Sequence, residues 1–204
     1  ERNKEAVHNE NKYVFNCMNT DKICIFTDTG KMHTIKGVDI PLGRFRDKGT
    51  PVDNLSNYDS SQERMLYVAP VGQLRSDRLL FVTKTSMCKL VEGAEFDVAK
   101  RTIASTKLAD EDELIFIGSA SEMEQIVLQS HGGCFLRFLT QEVSTMKKTA
   151  LGVRGMKLAD DDYLEHAYLL AGHQEYTISY HDKEYALNKV RLAKRDTKGI
   201  KPRI

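Results

Sequence analysis

Tryptophan is absent from the 204 residues, and with it the Trp-Asp dipeptide that marks one large group of blade repeats. Cysteine is sparse: Cys17, Cys24, Cys88 and Cys134. No two form a Cys-x-x-Cys pair and no histidine stands at zinc-ligand spacing, so a zinc ribbon or finger is excluded. Each lies among apolar residues and reads as a small buried hydrophobe in a reducing compartment. No apolar run approaches the ~18 residues of a membrane span. Residues 1–11 have neither an apolar signal core nor an initiator methionine. They read as a polar lead-in to a segment of a longer chain.

What is present is repetition. Lys-Leu-Ala-Asp occurs at Lys107 and again at Lys157, each time followed by more acid and then an apolar run. The match sits in a longer pattern. KICIFTDTGKMHTIKG (22–37), LLFVTKTSMCKLVEG (79–93), QIVLQSHGGCFLRFL (125–139) and YTISYHDKEYALNKV (176–190) each join two apolar or β-branched runs through a polar turn. That is a hairpin signature. Thr27, Thr83, Gln129 and Ser179 mark equivalent points 56, 46 and 50 residues apart. Repeats of 40–50 residues built from strands indicate propeller-like blades, each of which needs its neighbours to cover a sheet face. The expected fold is all-β, with four-stranded blades over 12–70, 71–121, 122–172 and 173–204. The one competing helical stretch, 118–129, has only scattered apolar residues.

Charge follows the same period. Four windows after the hairpins, 43–49, 99–107, 146–157 and 193–203, hold fifteen of the 30 Lys and Arg residues but only two of the 29 acids, Asp47 and Asp196. In a radial fold such windows share one rim. A curved basic rim suits a polyanion that follows the curve, above all duplex DNA. Aromatics are scarce in the windows, which disfavours stacking on single strands. The candidate phosphate contacts are Arg44, Arg46, Lys48, Lys100, Arg101, Lys147, Lys148, Arg154, Lys157, Lys194, Arg195 and Lys198. The competing reading is a propeller that binds protein or peptide on a flat face, its basic edge incidental.

Catalysis finds little support in the residues. Ser130, His131 and Asp182 could be assembled on paper into a triad, but Ser-His-Gly-Gly is better explained as a hairpin turn. The acids at 110–113 and 160–162 lack an EF-hand pattern and read as polar turns before a strand rather than a cation site. No P-loop is present, and no metal or cofactor is expected in this chain.

GKMHTIKGVDIPLGRFRDKGTPVDNL, ALGVRGMKLADDD and FVTKTSMCKLV resemble the blade motifs of a bacterial C-terminal domain, that of the DNA-cleaving polypeptide of type IIA topoisomerases. The resemblance covers 12–204. It implies a β-pinwheel, a propeller-like disc whose blades exchange strands, with a rim that binds and bends duplex DNA. It further implies a non-catalytic domain in the bacterial cytoplasm, associated with the nucleoid. Its partners would be an upstream breakage-reunion region of the same polypeptide and a separate ATPase subunit, with ATP and Mg²⁺ belonging to that larger complex. The gyrase signature Gln-Arg-Arg-Gly-Gly-x-Gly does not occur in these residues, and both the gyrase and the topoisomerase IV types remain open.

Overall fold

The computed structural model describes residues 2–44, 47–172 and 174–203. Helix α1 (Arg2–Glu10) opens the chain within the polar lead-in. Strands β1 (Lys22–Thr27) and β2 (Lys31–Lys36) form the first hairpin, and β3 (Met65–Pro70) adds to the free edge of β1. After the single turn α2 (Val71–Leu74) come β4 (Arg78–Thr83), β5 (Met87–Glu92), the short β6 (Thr102–Ala104) and β7 (Leu114–Ser119). The third repeat supplies β8 (Gln125–Ser130), β9 (Phe135–Leu139), β10 (Val153–Arg154) and β11 (Leu164–Leu170). The last hairpin is β12 (Thr177–Tyr180) with β13 (Lys183–Ala186). Residues 118–129 join the end of β7 to β8 and are not helical.

Sheet order shows how the repeats interlock. The first sheet runs β3-β1-β2-β6 and the second β7-β4-β5-β10; the third has β11-β8-β9 and the fourth is the β12-β13 hairpin. β6 lies after the second hairpin in sequence yet pairs with β2 of the first, and β10 lies after the third yet pairs with β5 of the second. Ile200, beyond the fourth hairpin, exchanges two 2.8 Å backbone bonds with Phe135 in β9. The second, third and fourth repeats therefore each lend an outer segment backward to the repeat before. This is the strand-exchanged pinwheel.

Strands β1, β4 and β8 are buried at five of their six positions because both faces are covered. Cys24, Phe26 and Met32 of the first sheet pack against Leu79, Phe81 and Val91 of the second. Leu80, Val82 and Leu90 of the second meet Ile126, Leu128 and Phe138 of the third. The core thus lies between sheets, with β7 in contact with both β3 and β11. Cys24 and Cys88 are buried and Cys134 is half-buried, whereas Cys17 is exposed, contrary to the expectation for all four. It precedes the first strand and has no sheet to cover it. Burial pushes the Cys24 and Cys88 thiols up to about 12.

The recurring acids hold the turns. Asp112 Oδ1 accepts the N–H of Thr85 at 3.1 Å and of Glu113 at 3.0 Å. Asp162 Oδ1 accepts the N–H of Gly132 at 2.8 Å and of Tyr163 at 2.9 Å. Each carboxylate ties the start of an inner strand to a hairpin turn in its own blade. The Lys-Leu-Ala-Asp repetition is the lead-in to that tie. The hairpin turns align at Gly30 (φ 76°), Ser86 (φ 73°) and Gly133 (φ 79°). The oxygens of Thr27, Thr83 and Ser130 each accept the N–H three residues on. Ser130, one residue beyond Gln129, is therefore the true equivalent in the third repeat.

Two features lock exchanged strands in place. Gly152 has φ +107°, and a Cβ there would lie 2.6 Å from the Cys88 carbonyl oxygen across the β5–β10 pairing. Gly152→Ala is expected to cost about 1–3 kcal/mol, read as a lowered melting temperature. In the first blade, His33 Nε2 donates to Glu63 Oε1 at 2.6 Å, both side chains under 5% exposed, while His33 Nδ1 lies 3.0 Å from Thr102 Oγ1 in β6. Burial alone would push the Glu63 carboxyl up. Hydrogen bonds from Thr27, Thr29 and His33 outweigh it and leave Glu63 below the usual carboxylate value. Its stabilisation is therefore present above the unfolded value of about 4.3 and fades as pH falls through the depressed one. Glu63→Gln should cost about 1–3 kcal/mol at pH 7. Urea titrations should show that difference shrinking as the pH drops below about 4.

Candidate nucleic-acid interface

Strand exchange determines where the basic windows meet. The Lys107 N–H donates to the Lys148 oxygen at 3.1 Å, and the Lys157 N–H to the Thr197 oxygen at 3.0 Å. Asp196 N–H donates to the Gly155 oxygen at 2.7 Å. The segments 101–107, 146–157 and 193–200 therefore run edge to edge, each bonded to the next. Residues some forty positions apart in sequence become neighbours along one border.

The candidate side chains divide into two groups. Lys100, Arg101, Lys157, Lys194 and Lys198 are exposed and in no ion pair among the described residues. Arg44 and Lys48 are likewise exposed, but they belong to the first repeat and stand outside the three bonded segments. Arg46 lies outside the described residues.

The other four are engaged by the protein itself. Lys147 Nζ sits 3.4 Å from Glu95 Oε1 but is 81% exposed. Lys148 is half-buried, its N–H on Glu95 Oε2 at 3.1 Å and its Nζ on the Glu95 carbonyl at 3.2 Å. Arg154 forks onto Asp196 through Nε and Nη2. Arg195 donates from Nε to the Glu142 carbonyl at 2.9 Å and from Nη1 to the Arg154 carbonyl at 2.6 Å. Lys148 and Arg195 thus serve first as joints between repeats.

Two lysines outside the candidate set bear directly on this border. Lys107 is exposed at the seam between the second and third repeats. Its place in the second basic window was signal enough. Lys89 is 1% exposed, and its Nζ donates to the carbonyls of Lys148 at 2.8 Å and Ala150 at 2.6 Å. Burial lowers its ammonium to about 8. It pins the basic 148–150 segment from beneath rather than meeting a ligand.

Other polar clusters are accounted for locally. His131 Nδ1 pairs with Glu165 at 2.7 Å and its ring stacks on Tyr163 at 4.7 Å. Ser130 Oγ accepts the Cys134 N–H, so Ser130 and His131 serve separate contacts. Among the described residues, no group of three or more His, Cys, Asp or Glu residues is placed to hold a metal ion. No helix among them is long and apolar enough to cross a membrane.

Interlocked β-sheet blades, two of them four-stranded, with an outer border of exchanged segments define a propeller-type domain. The family described as "DNA gyrase C-terminal domain, beta-propeller" matches residues 21–60, 77–121 and 124–171, and the chain belongs to it. The DNA gyrase A protein of Ureaplasma parvum serovar 3 is 28% identical over 184 residues, covering 87% of this chain and 22% of that protein. The DNA gyrase A protein of Salmonella typhimurium is 31% identical over 144 residues, covering 70% of this chain and 16% of that protein. The chain thus spans about a fifth of the length of these relatives. The solved C-terminal domain of DNA topoisomerase IV superposes with a TM-score of 0.80 at 22% identity, covering 98% of this chain and 66% of the other. The DNA gyrase A C-terminal domain gives 0.66 at 21% identity, covering 90% of this chain and 60% of the other. Both share its fold.

Proposed function

We propose that this domain binds and bends duplex DNA along its exchanged border, as the non-catalytic C-terminal part of the DNA-cleaving polypeptide of a type IIA topoisomerase. The observation that carries the reading is the edge-to-edge bonding of the three basic segments. It turns charges scattered through the sequence into one path for phosphates. Main-chain and lysine contacts of this kind position a duplex without reading its bases. In the complete enzyme the bent DNA would be presented to an upstream breakage-reunion region. ATP and Mg²⁺ would act in that larger assembly, on its separate ATPase subunit, rather than in this domain.

A gel shift on random-sequence duplex tests the proposal. Binding should be micromolar or tighter and should fall steeply with salt. Lys107→Ala should weaken all sequences alike and lower the salt slope by about one unit. Millimolar binding with a shallow slope would overturn the reading and favour a protein- or peptide-binding disc.

A further inference from the structure

Most turn-forming aspartates here have a clear task. Asp28, Asp112 and Asp162 accept backbone N–H groups, and Asp47, one of the two acids in the basic windows, accepts the Arg44 N–H at 2.7 Å. Asp196, the other, does not. Among the described residues its carboxylate is hydrogen-bonded by Arg154 alone, Nη2 lying 3.2 Å from Oδ2 and Nε on Oδ1. The two-pronged guanidinium grip is the one arginine uses equally on carboxylate and phosphate.

The surroundings are those of an anion site. Arg195, fixed by the carbonyls of Glu142 and Arg154, and Lys157, one bonded row away, add their fields to that of Arg154. The hydrogen bond from Arg154 is the main cause that holds the Asp196 carboxyl below the usual range; burial opposes it, and the charges of Arg154, Arg195 and Lys157 add to the lowering. Lys148 and Arg195 are counterparts, each with its N–H on a glutamate Oε2 and its side chain on that glutamate's carbonyl, and Val153 and Ile200 pair with Cys88 and Phe135 in the same register. By that register Asp196 is the counterpart of Thr149. An acid thus stands where the previous repeat has a neutral residue.

We propose that the Asp196 carboxylate occupies a phosphodiester subsite formed by Arg154 and Lys157 within the field of Arg195, and screens that stretch of the border until a DNA phosphate displaces it. The inference rests on the duplex-binding reading and adds a built-in limit to it. Both partners are substantially exposed, with side-chain accessibilities of 52% and 38%, so exchange of one anion for another needs no unfolding.

Asp196→Asn is the decisive variant. Asp196 has φ +63°, a left-handed conformation that asparagine tolerates as well as aspartate. Fluorescence anisotropy with a random-sequence 30-bp duplex, from 50 to 200 mM salt, should show affinity rising about 3–10-fold and the log–log slope steepening by about 0.9, one more phosphate engaged. Combining Arg154→Ala with Asp196→Asn should abolish the gain, leaving the double variant with no tighter binding and no steeper slope than the wild-type protein. An Asp196→Asn protein with unchanged or weaker binding and an unchanged slope overturns the inference while leaving the duplex reading standing. Should the wild-type chain bind no duplex, titration of both proteins with inorganic phosphate, followed by the Arg154 Nε–H resonance, decides separately. Tighter phosphate binding by the variant upholds the subsite, and equal binding removes it.

Discussion

Raising monovalent salt from 50 to 200 mM should weaken duplex binding by about 10³–10⁴. The magnitude comes from the border itself. Arg101, Lys107, Lys157, Lys194 and Lys198 are exposed on the bonded segments, Lys100 is exposed one residue before the first of them, and Arg44 and Lys48 would add two more contacts. Six to eight neutralised phosphates give a log–log slope of about −5 to −7. Lys148 and Arg195 should add little, because their donors already serve backbone carbonyls of the protein. Bending a 20–30 bp site by 40–90° costs about 1–6 kcal/mol, so the contacts must act together along the curve. A slope shallower than about −3 would mean that DNA touches one blade and does not follow the edge. Equilibrium titrations at four or more salt concentrations give the slope directly.

Phe96→Ala is expected to destabilise the domain by about 3–5 kcal/mol. Phe96 is 1% exposed and lies in the 3₁₀ turn Gly93–Phe96 that leads from β5 toward the exchanged β6. Its ring meets Phe26 of the first sheet edge-on at 4.9 Å and Phe81 of the second at 5.9 Å. Truncation removes contacts to two blades at once and leaves a cavity that β strands on both sides cannot close. At this chain length the loss corresponds to a melting temperature lower by roughly 6–20 °C. Phe96→Leu, which retains most of the volume, should lose far less. A drop under about 3 °C for the alanine variant would show that neighbouring rings refill the space. Because Phe96 lies four residues before Lys100, duplex affinity should fall with stability.

Much of the architecture can be read from residue spacing, and what cannot has a common cause. The four hairpins announce themselves through β-branched runs and turn residues that tolerate positive φ. The partner of each outer segment does not. Nothing in Thr102–Ala104 says that it pairs with β2 instead of the nearer β5; that followed only from likeness to a strand-exchanging family. The same non-locality conceals which cations are spoken for. Arg154 meets an acid 42 residues away, and the Lys148 backbone one 53 residues away, distances at which charge patterning in the sequence carries no pairing information. Lys89 was concealed differently. It sits inside an apolar strand, where the only sign of its role is that an unpartnered ammonium could not remain there. Helix α1 was missed because its polar residues show no apolar face.

Backward lending of strands also sets an order of events on the ribosome. β2 ends at Lys36 and waits about 65 residues for β6, and β5 ends at Glu92 and waits about 60 for β10. At ~5–20 residues per second of synthesis, each hairpin emerges with an uncovered edge for roughly 3–13 s before its completing strand leaves the exit tunnel. The nascent domain is therefore always one repeat behind itself, and its last-made edge is where mispairing with another chain would begin.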